Sequence, residues 1–127
     1  MNNMKKILLI LIVMFLITSC GSDTDKVKVM EINKTDAVTK MEDGAILIDV
    51  RSSQEYNEKH IDGAININVE DILNRDGALI YDNSEIGFNK TIIVYCRSGS
   101  RSNTAANKLI ELGYTNVYDL GSINNWN

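Results

Sequence analysis

The sequence predicts an α/β domain with a mostly parallel central sheet flanked by helices. Two continuous apolar runs of strand length, residues 45–50 and 91–95, have the composition of strands buried on both faces rather than the alternation of half-exposed ones. Helix caps and helical spacings fall between these and weaker strand-like runs, and strands that alternate with helices favour parallel pairing. At 127 residues, with 44% hydrophobic and 24% charged content, the chain has the length and composition of one ordinary globular domain.

In chain order, residues 20–27 are mostly small, polar or charged without apolar periodicity and read as a tether, and the domain runs over 28–127. Residues 27–32 form a short β-rich run. Thr35 or Asp36 caps a helix through Ala37, Val38 and Met41, which Asp43-Gly44 ends. The first strong strand follows and closes on Asp49-Val50-Arg51. Ser52 or Ser53 caps another short helix, with Glu55 placed for a reciprocal capping bond. His60-Ile61-Asp62-Gly63 breaks that helix, and residues 64–67 are a third strand. Val69, Ile72 and Leu73 fall at helical spacing. From 74 to 89 the pattern weakens, with turns at Asp76-Gly77, Asp82-Asn83 and Gly87. After the second strong strand, a helix carries Ala105, Leu109 and Leu112 on one face, with Ala106 and Ile110 beside them, and Gly113 ends it. Residues 116–120 make the last strand, and Trp126 packs on the domain edge.

The second strong strand stops on a cysteine. Cys96-Arg97-Ser98-Gly99-Ser100-Arg101 joins it to the following helix, at the carboxyl end of a sheet strand where such folds bind ligands. Backbone N–H groups of the loop and first helical turn have no carbonyl partners there and converge on an anion. That anion can be the Cys96 thiolate, favoured by the helix end and by Arg97 and Arg101. Gly99 permits the tight turn. A buried structural cysteine beside solvated arginines is the plainer reading, and two arginines and a glycine ahead of a helix weigh against it. His60 is the only histidine, and one histidine with one loop cysteine does not make a metal site, so neither metal nor organic cofactor is expected.

The amino terminus has a basic head at Lys5 and Lys6, then eleven unbroken apolar residues from Ile7 to Ile17. Eleven is short of the about 20 needed to span a bilayer, and the pattern is that of a secretory leader over residues 1–19. Leu16-Ile17-Thr18-Ser19-Cys20 also resembles the lipobox of bacterial lipoproteins, which makes Cys20 the lipidated first residue of the mature chain. An uncleaved anchor is the plainer alternative. Exported and anchored by lipid, the protein would sit in the bacterial cell envelope, and Gly21 after Cys20 favours the outer membrane where there are two. Loss of Lys5 and Lys6 moves the net charge from −4 to −6, which excludes nucleic-acid binding through a general basic footprint. Cys96 is then left with no intramolecular disulfide partner.

Several separated segments together resemble a single-domain rhodanese: Leu47-Ile48-Asp49-Val50-Arg51; Glu55-Tyr56 with His60 to Asn66; Val94-Tyr95 with Cys96 to Ser102; Leu112-Gly113-Tyr114; and Val117 to Gly121. The resemblance implies a rhodanese-like fold and sulfurtransferase chemistry, in which Cys96 takes the outer sulfur of thiosulfate or a similar donor as a persulfide. The sulfur then passes to cyanide or a thiol. Backbone N–H groups from Arg97 to Arg101 would cradle the persulfide, with Ser98, Gly99 and Ser100 in the substrate loop and Arg97 and Arg101 on the sulfonate. Ser102 adds a hydroxyl at the helix start.

The six residues from Cys96 to Arg101 match the sulfurtransferase loop, not the seven of phosphatase-type relatives. Asp49 and Arg51 are expected in support, Asp49 on loop N–H groups and Arg51 reaching Glu55 at i,i+4. His60 is expected to pack at a turn. Gly121-Ser122 stands where many relatives have two glycines, a departure expected not to touch the loop. The alternative function is a persulfide carrier or redox-sensing module loaded by a partner protein.

Overall fold

The computed structural model describes residues 25–127. The expected leader over 1–19, the lipidated Cys20 and the tether up to residue 24 lie outside the described residues. Residues 25–28 are irregular and exposed. Among the described residues no helix is long and apolar enough to cross a membrane.

Five strands form the main sheet: β1 (Met30–Glu31), β2 (Ile46–Asp49), β3 (Ile65–Asn66), β6 (Thr91–Cys96) and β7 (Asn116–Ser122), in the spatial order β1-β7-β6-β2-β3. Every pairing in it is parallel. The helices are α1 (Lys34–Glu42), α2 (Ser53–Glu58), α3 (Val69–Leu73) and α4 (Ser100–Leu112), and a 3₁₀ turn over Ile123–Trp126 closes the chain. The two strong apolar runs are the two inner strands that pair with each other: Ile46 faces Ile92 and Asp49 faces Tyr95. From β2 the chain continues outward to β3, whereas from β6 it continues the other way to β7. The loops after β2 and β6 therefore flank the point where the strand order diverges, and a crevice opens between them.

Period-two alternation along β6 assigns its side chains to two cores. Ile92, Val94 and Cys96 point to one face, against Ala105, Ala106 and Leu109 of α4 and Ile72 of α3. Ile93 and Tyr95 point to the other, with Leu47, Ala37 of α1, and Ile61 and Ala64. The helical face expected from Ala105 and Leu109 is the one buried, and Gly113 ends α4 with φ of 114°. Trp126 is half-buried against the second core, with the Lys34 ammonium 5.5 Å from its ring centroid.

Three local expectations are corrected. Asn33, not Thr35 or Asp36, caps α1, its side chain accepting from the Asp36 N–H at 2.9 Å. The β-rich run of residues 27–32 pairs only at Met30 and Glu31, because β1 is an edge strand whose neighbour β7 offers it only Tyr118 and Asp119. Residues 74–89 hold an antiparallel hairpin as well as turns: β4 (Leu79–Tyr81) pairs β5 (Ser84–Ile86) across Asp82-Asn83. Both turn residues have positive φ, 50° and 60°, as a tight hairpin turn with the sheet's twist demands.

The hairpin is fastened to the body by one buried hydroxyl. Tyr114, 1% exposed, donates to the Ile86 carbonyl at 2.6 Å and accepts from the Leu79 N–H at 2.8 Å. Tyr114→Phe keeps the ring but strands both backbone groups, and is expected to lower unfolding free energy by about 1–3 kcal/mol in a urea titration.

Candidate active site

Gly99 precedes α4 with φ of 102°, and no side chain caps this helix. The Cys96 sulfur takes that place: the Gly99 N–H donates to Sγ at 3.0 Å. A Cβ on residue 99 would meet only the Gly121 Cα at 3.8 Å, an ordinary contact, so glycine is required here by its backbone angle rather than by crowding. Cys96 itself is 1% exposed at the end of β6. Burial pushes its thiol pKa up. The Ser102 hydroxyl and the backbone N–H groups of Ser102, Gly99 and Ser98 outweigh that, and the thiol lies below its ordinary value.

Ser102 is fully buried one turn into α4, and its hydroxyl also lies 3.1 Å from the Gly99 carbonyl. With one proton, it donates to that carbonyl in one orientation and to the sulfur in the other. The sequence marks Ser102 only as one hydroxyl of several. Its three-residue spacing from Gly99, which places it over the loop, is the signal that separates it from Ser98 and Ser100, both exposed.

The three arginines near the loop have different partners. Arg101 is held by Glu55 of α2 through two bonds, 2.7 and 3.0 Å, so it clamps the start of α4 to the start of α2. Arg51 does not reach Glu55, as i,i+4 spacing suggests. It folds back on Asp49, its Nη2 2.7 Å from Oδ2, and donates to the Lys59 carbonyl at 2.6 Å. Asp49 in turn accepts from the Arg51 N–H at 2.9 Å rather than from the cysteine loop. The reason is burial: Asp49 is 0% exposed and Arg51 7%, and a buried carboxylate so close to a buried guanidinium satisfies both charges, while Glu55 is already taken by Ser52 and Arg101. Among the described residues, Arg97 makes no ion pair.

A groove of about 550 Å³ is lined by Arg97, Lys59, His60 and Trp126, with Glu58 and Asp62 also on its wall. His60 stacks on Tyr56 with ring centroids 3.8 Å apart, and its Nδ1 lies 2.8 Å from the Tyr56 carbonyl oxygen, which ties it to the turn. Among the described residues no three His, Cys, Asp or Glu side chains are grouped to hold a metal.

The expectation that Gly121-Ser122 leaves the loop alone is overturned. The β6–β7 register shifts between Val94 and Tyr95, so Val94 faces Asp119 but Tyr95 faces Gly121, and Ser122 comes to lie opposite Cys96. Ser122 Oγ donates to the Arg97 carbonyl at 2.6 Å.

The Arg101 guanidinium, with smaller help from Ser52, pulls the Glu55 carboxyl down to about 2, against an ordinary 4.5. Because Glu55 titrates lower in the folded than in the unfolded chain, its contribution is complete above pH 4.5 and is lost as pH falls toward 2. Thermal unfolding followed across that window is expected to show the parent losing Tm more steeply than Glu55→Gln.

Residues 33–127 match the rhodanese-like domain family. The chain is 37% identical over 76 residues to the thiosulfate sulfurtransferase PspE of Escherichia coli K12, covering 60% of this chain and 68% of that one. It is 33% identical over 81 residues to the thiosulfate sulfurtransferase GlpE of Shewanella oneidensis, covering 63% and 73%. The human single-domain sulfurtransferase TSTD1 shares the fold, with a TM-score of 0.69 at 23% identity over 78% of this chain and 96% of that one. With the cysteine loop on the carboxyl rim of a parallel five-stranded sheet, and with these likenesses, the chain belongs to the rhodanese-like domain family.

Proposed function

We propose that this protein is a rhodanese-type sulfurtransferase that carries sulfane sulfur as a persulfide on Cys96. The observation that carries the proposal is the hydrogen-bonded sulfur: Sγ accepts from the Gly99 N–H at 3.0 Å, with its pKa lowered despite burial. A thiolate is the attacking species that the chemistry needs. The thiosulfate sulfurtransferase names of the PspE and GlpE relatives agree with this substrate class.

In the first half-reaction the Cys96 thiolate attacks the outer sulfur of thiosulfate. A new S–S bond forms to Cys96, the bond to the sulfonate sulfur breaks, and sulfite leaves with that electron pair. The persulfide anion inherits the negative charge and the same N–H donors. In the second, cyanide or a thiolate attacks the outer sulfur, and Cys96 leaves as the thiolate. No net proton or oxidant is required with cyanide.

Arg97 is the loop arginine suited to the sulfonate, since Arg101 is engaged on both nitrogens by Glu55. The Arg101–Glu55 clamp instead holds the two helix starts that shape the loop. A second reading, a persulfide carrier loaded by a protein, draws support from the groove, whose about 550 Å³ exceeds what thiosulfate needs and whose wall carries both signs of charge.

The deciding experiment is intact mass of the full-length chain in detergent, before and after thiosulfate and then cyanide. The parent is expected to gain one sulfur, about 32 Da, that cyanide removes as thiocyanate, and Cys96→Ser is expected to gain none. A parent that gains nothing moves the assignment to a carrier with a protein donor. In steady-state turnover, Arg97→Ala is expected to raise the KM for thiosulfate about tenfold with a smaller change in kcat, as loss of one charged contact to a dianion predicts.

A further inference from the structure

We propose that Ser122 is a positioning residue for the Cys96 sulfur: its hydroxyl fixes the Arg97–Ser98 peptide plane so that the Ser98 N–H is aimed at Sγ. The inference deepens the sulfurtransferase reading and rests on it for its functional meaning, though not for its test.

The peptide bond between Arg97 and Ser98 is planar and trans, so the Arg97 carbonyl and the Ser98 N–H point in opposite directions. Ser122 Oγ holds that carbonyl at 2.6 Å on the β7 side of the loop. The Ser98 N–H is thereby turned away from β7, and the next N–H along the loop, that of Gly99, reaches Sγ at 3.0 Å. The lowered Cys96 pKa, to which the Ser98 N–H contributes, is in keeping with this orientation.

Ser122 is itself held in place. It is the residue opposite Cys96 only because β7 shifts register just before it. The shift is fixed by the Gly121 N–H donating to Asp119 Oδ1 at 2.8 Å and by Asn125 Nδ2 donating to the Leu120 carbonyl at 2.8 Å. The Ser122 hydroxyl has one proton to give and gives it to Arg97, while its oxygen accepts from the Asn124 N–H at 3.1 Å. An alanine at 122 would leave the carbonyl without that donor, and the peptide plane would be free to rotate toward water. A rotated plane would present carbonyl oxygen to an anionic sulfur, or at least withdraw one of its donors. Neither ion pair beside the loop, Arg101 with Glu55 or Arg51 with Asp49, includes Ser122, and Arg97 is the charged residue whose own peptide the change releases.

The test is the pH profile of Cys96 alkylation in the full-length chain, read by mass spectrometry on the peptide that carries Cys96. Ser122→Ala and Ser122→Gly are expected to raise the apparent thiol pKa by about half to one unit, the scale of one neutral hydrogen bond to the thiolate, while Ser122→Thr tracks the parent. Profiles of Ala and Gly variants that superimpose on the parent would overturn the inference. So would a threonine variant shifted as far as alanine, because the effect would then belong to the β7 backbone and not to the hydroxyl. If the parent forms no persulfide, the sulfurtransferase reading fails while these profiles still decide the role of Ser122.

Discussion

A sulfur as buried as that of Cys96, 1% exposed, carries negative charge only if the protein replaces the water it has lost. The rest of the site follows from that constraint. The donors come from backbone N–H groups at the uncapped start of α4, and they face the sulfur because Gly99 takes a left-handed angle. Ser102 adds a hydroxyl from the first turn of the helix. The sheet contributes the strand end that delivers the side chain, and alternation along β6 decides which core it enters.

Around this centre the charges are divided between structure and chemistry. Arg51, just past β2, is matched by Asp49 at that strand's end, and Arg101 by Glu55 across the crevice between two helix starts. Both pairs shape the walls of the crevice. Arg97 has no carboxylate partner among the described residues and lines the groove beside the loop. Two arginines that look equivalent in the sequence, four residues apart in one loop, thus have different environments.

The parts of the fold that were legible in the sequence are those whose burial is two-sided or whose caps are local. Residues 45–50 and 91–95 read as inner strands because each holds an unbroken run of aliphatic residues, Ala45 to Ile48 and Ile92 to Val94, and Ser52 with Glu55 reads as a capping box because both partners lie within one turn. The β4–β5 hairpin was not legible, since three-residue strands with Ile80 and Tyr81 exposed leave no period to detect; the Asp82-Asn83 pair marked a turn without saying what it joined. Within the site, the cysteine, the loop and Gly99 could be read from their order. The Glu55–Arg101 clamp could not, because its partners are 46 residues apart and meet only once β2 and β6 are paired. Nor could the contact of Ser122 with Arg97, which depends on a one-residue register shift that no spacing announces.

The all-parallel sheet also gives the molecule a polarity. Strand ends, the cysteine loop and the groove gather on one rim, and the chain ahead of Met30 arrives from the side of the strand starts, because β1 runs parallel to β7. The end at which the described chain enters the sheet and the end at which Cys96 stands are therefore opposite ends of one sheet, so the strand starts can vary without disturbing the loop chemistry.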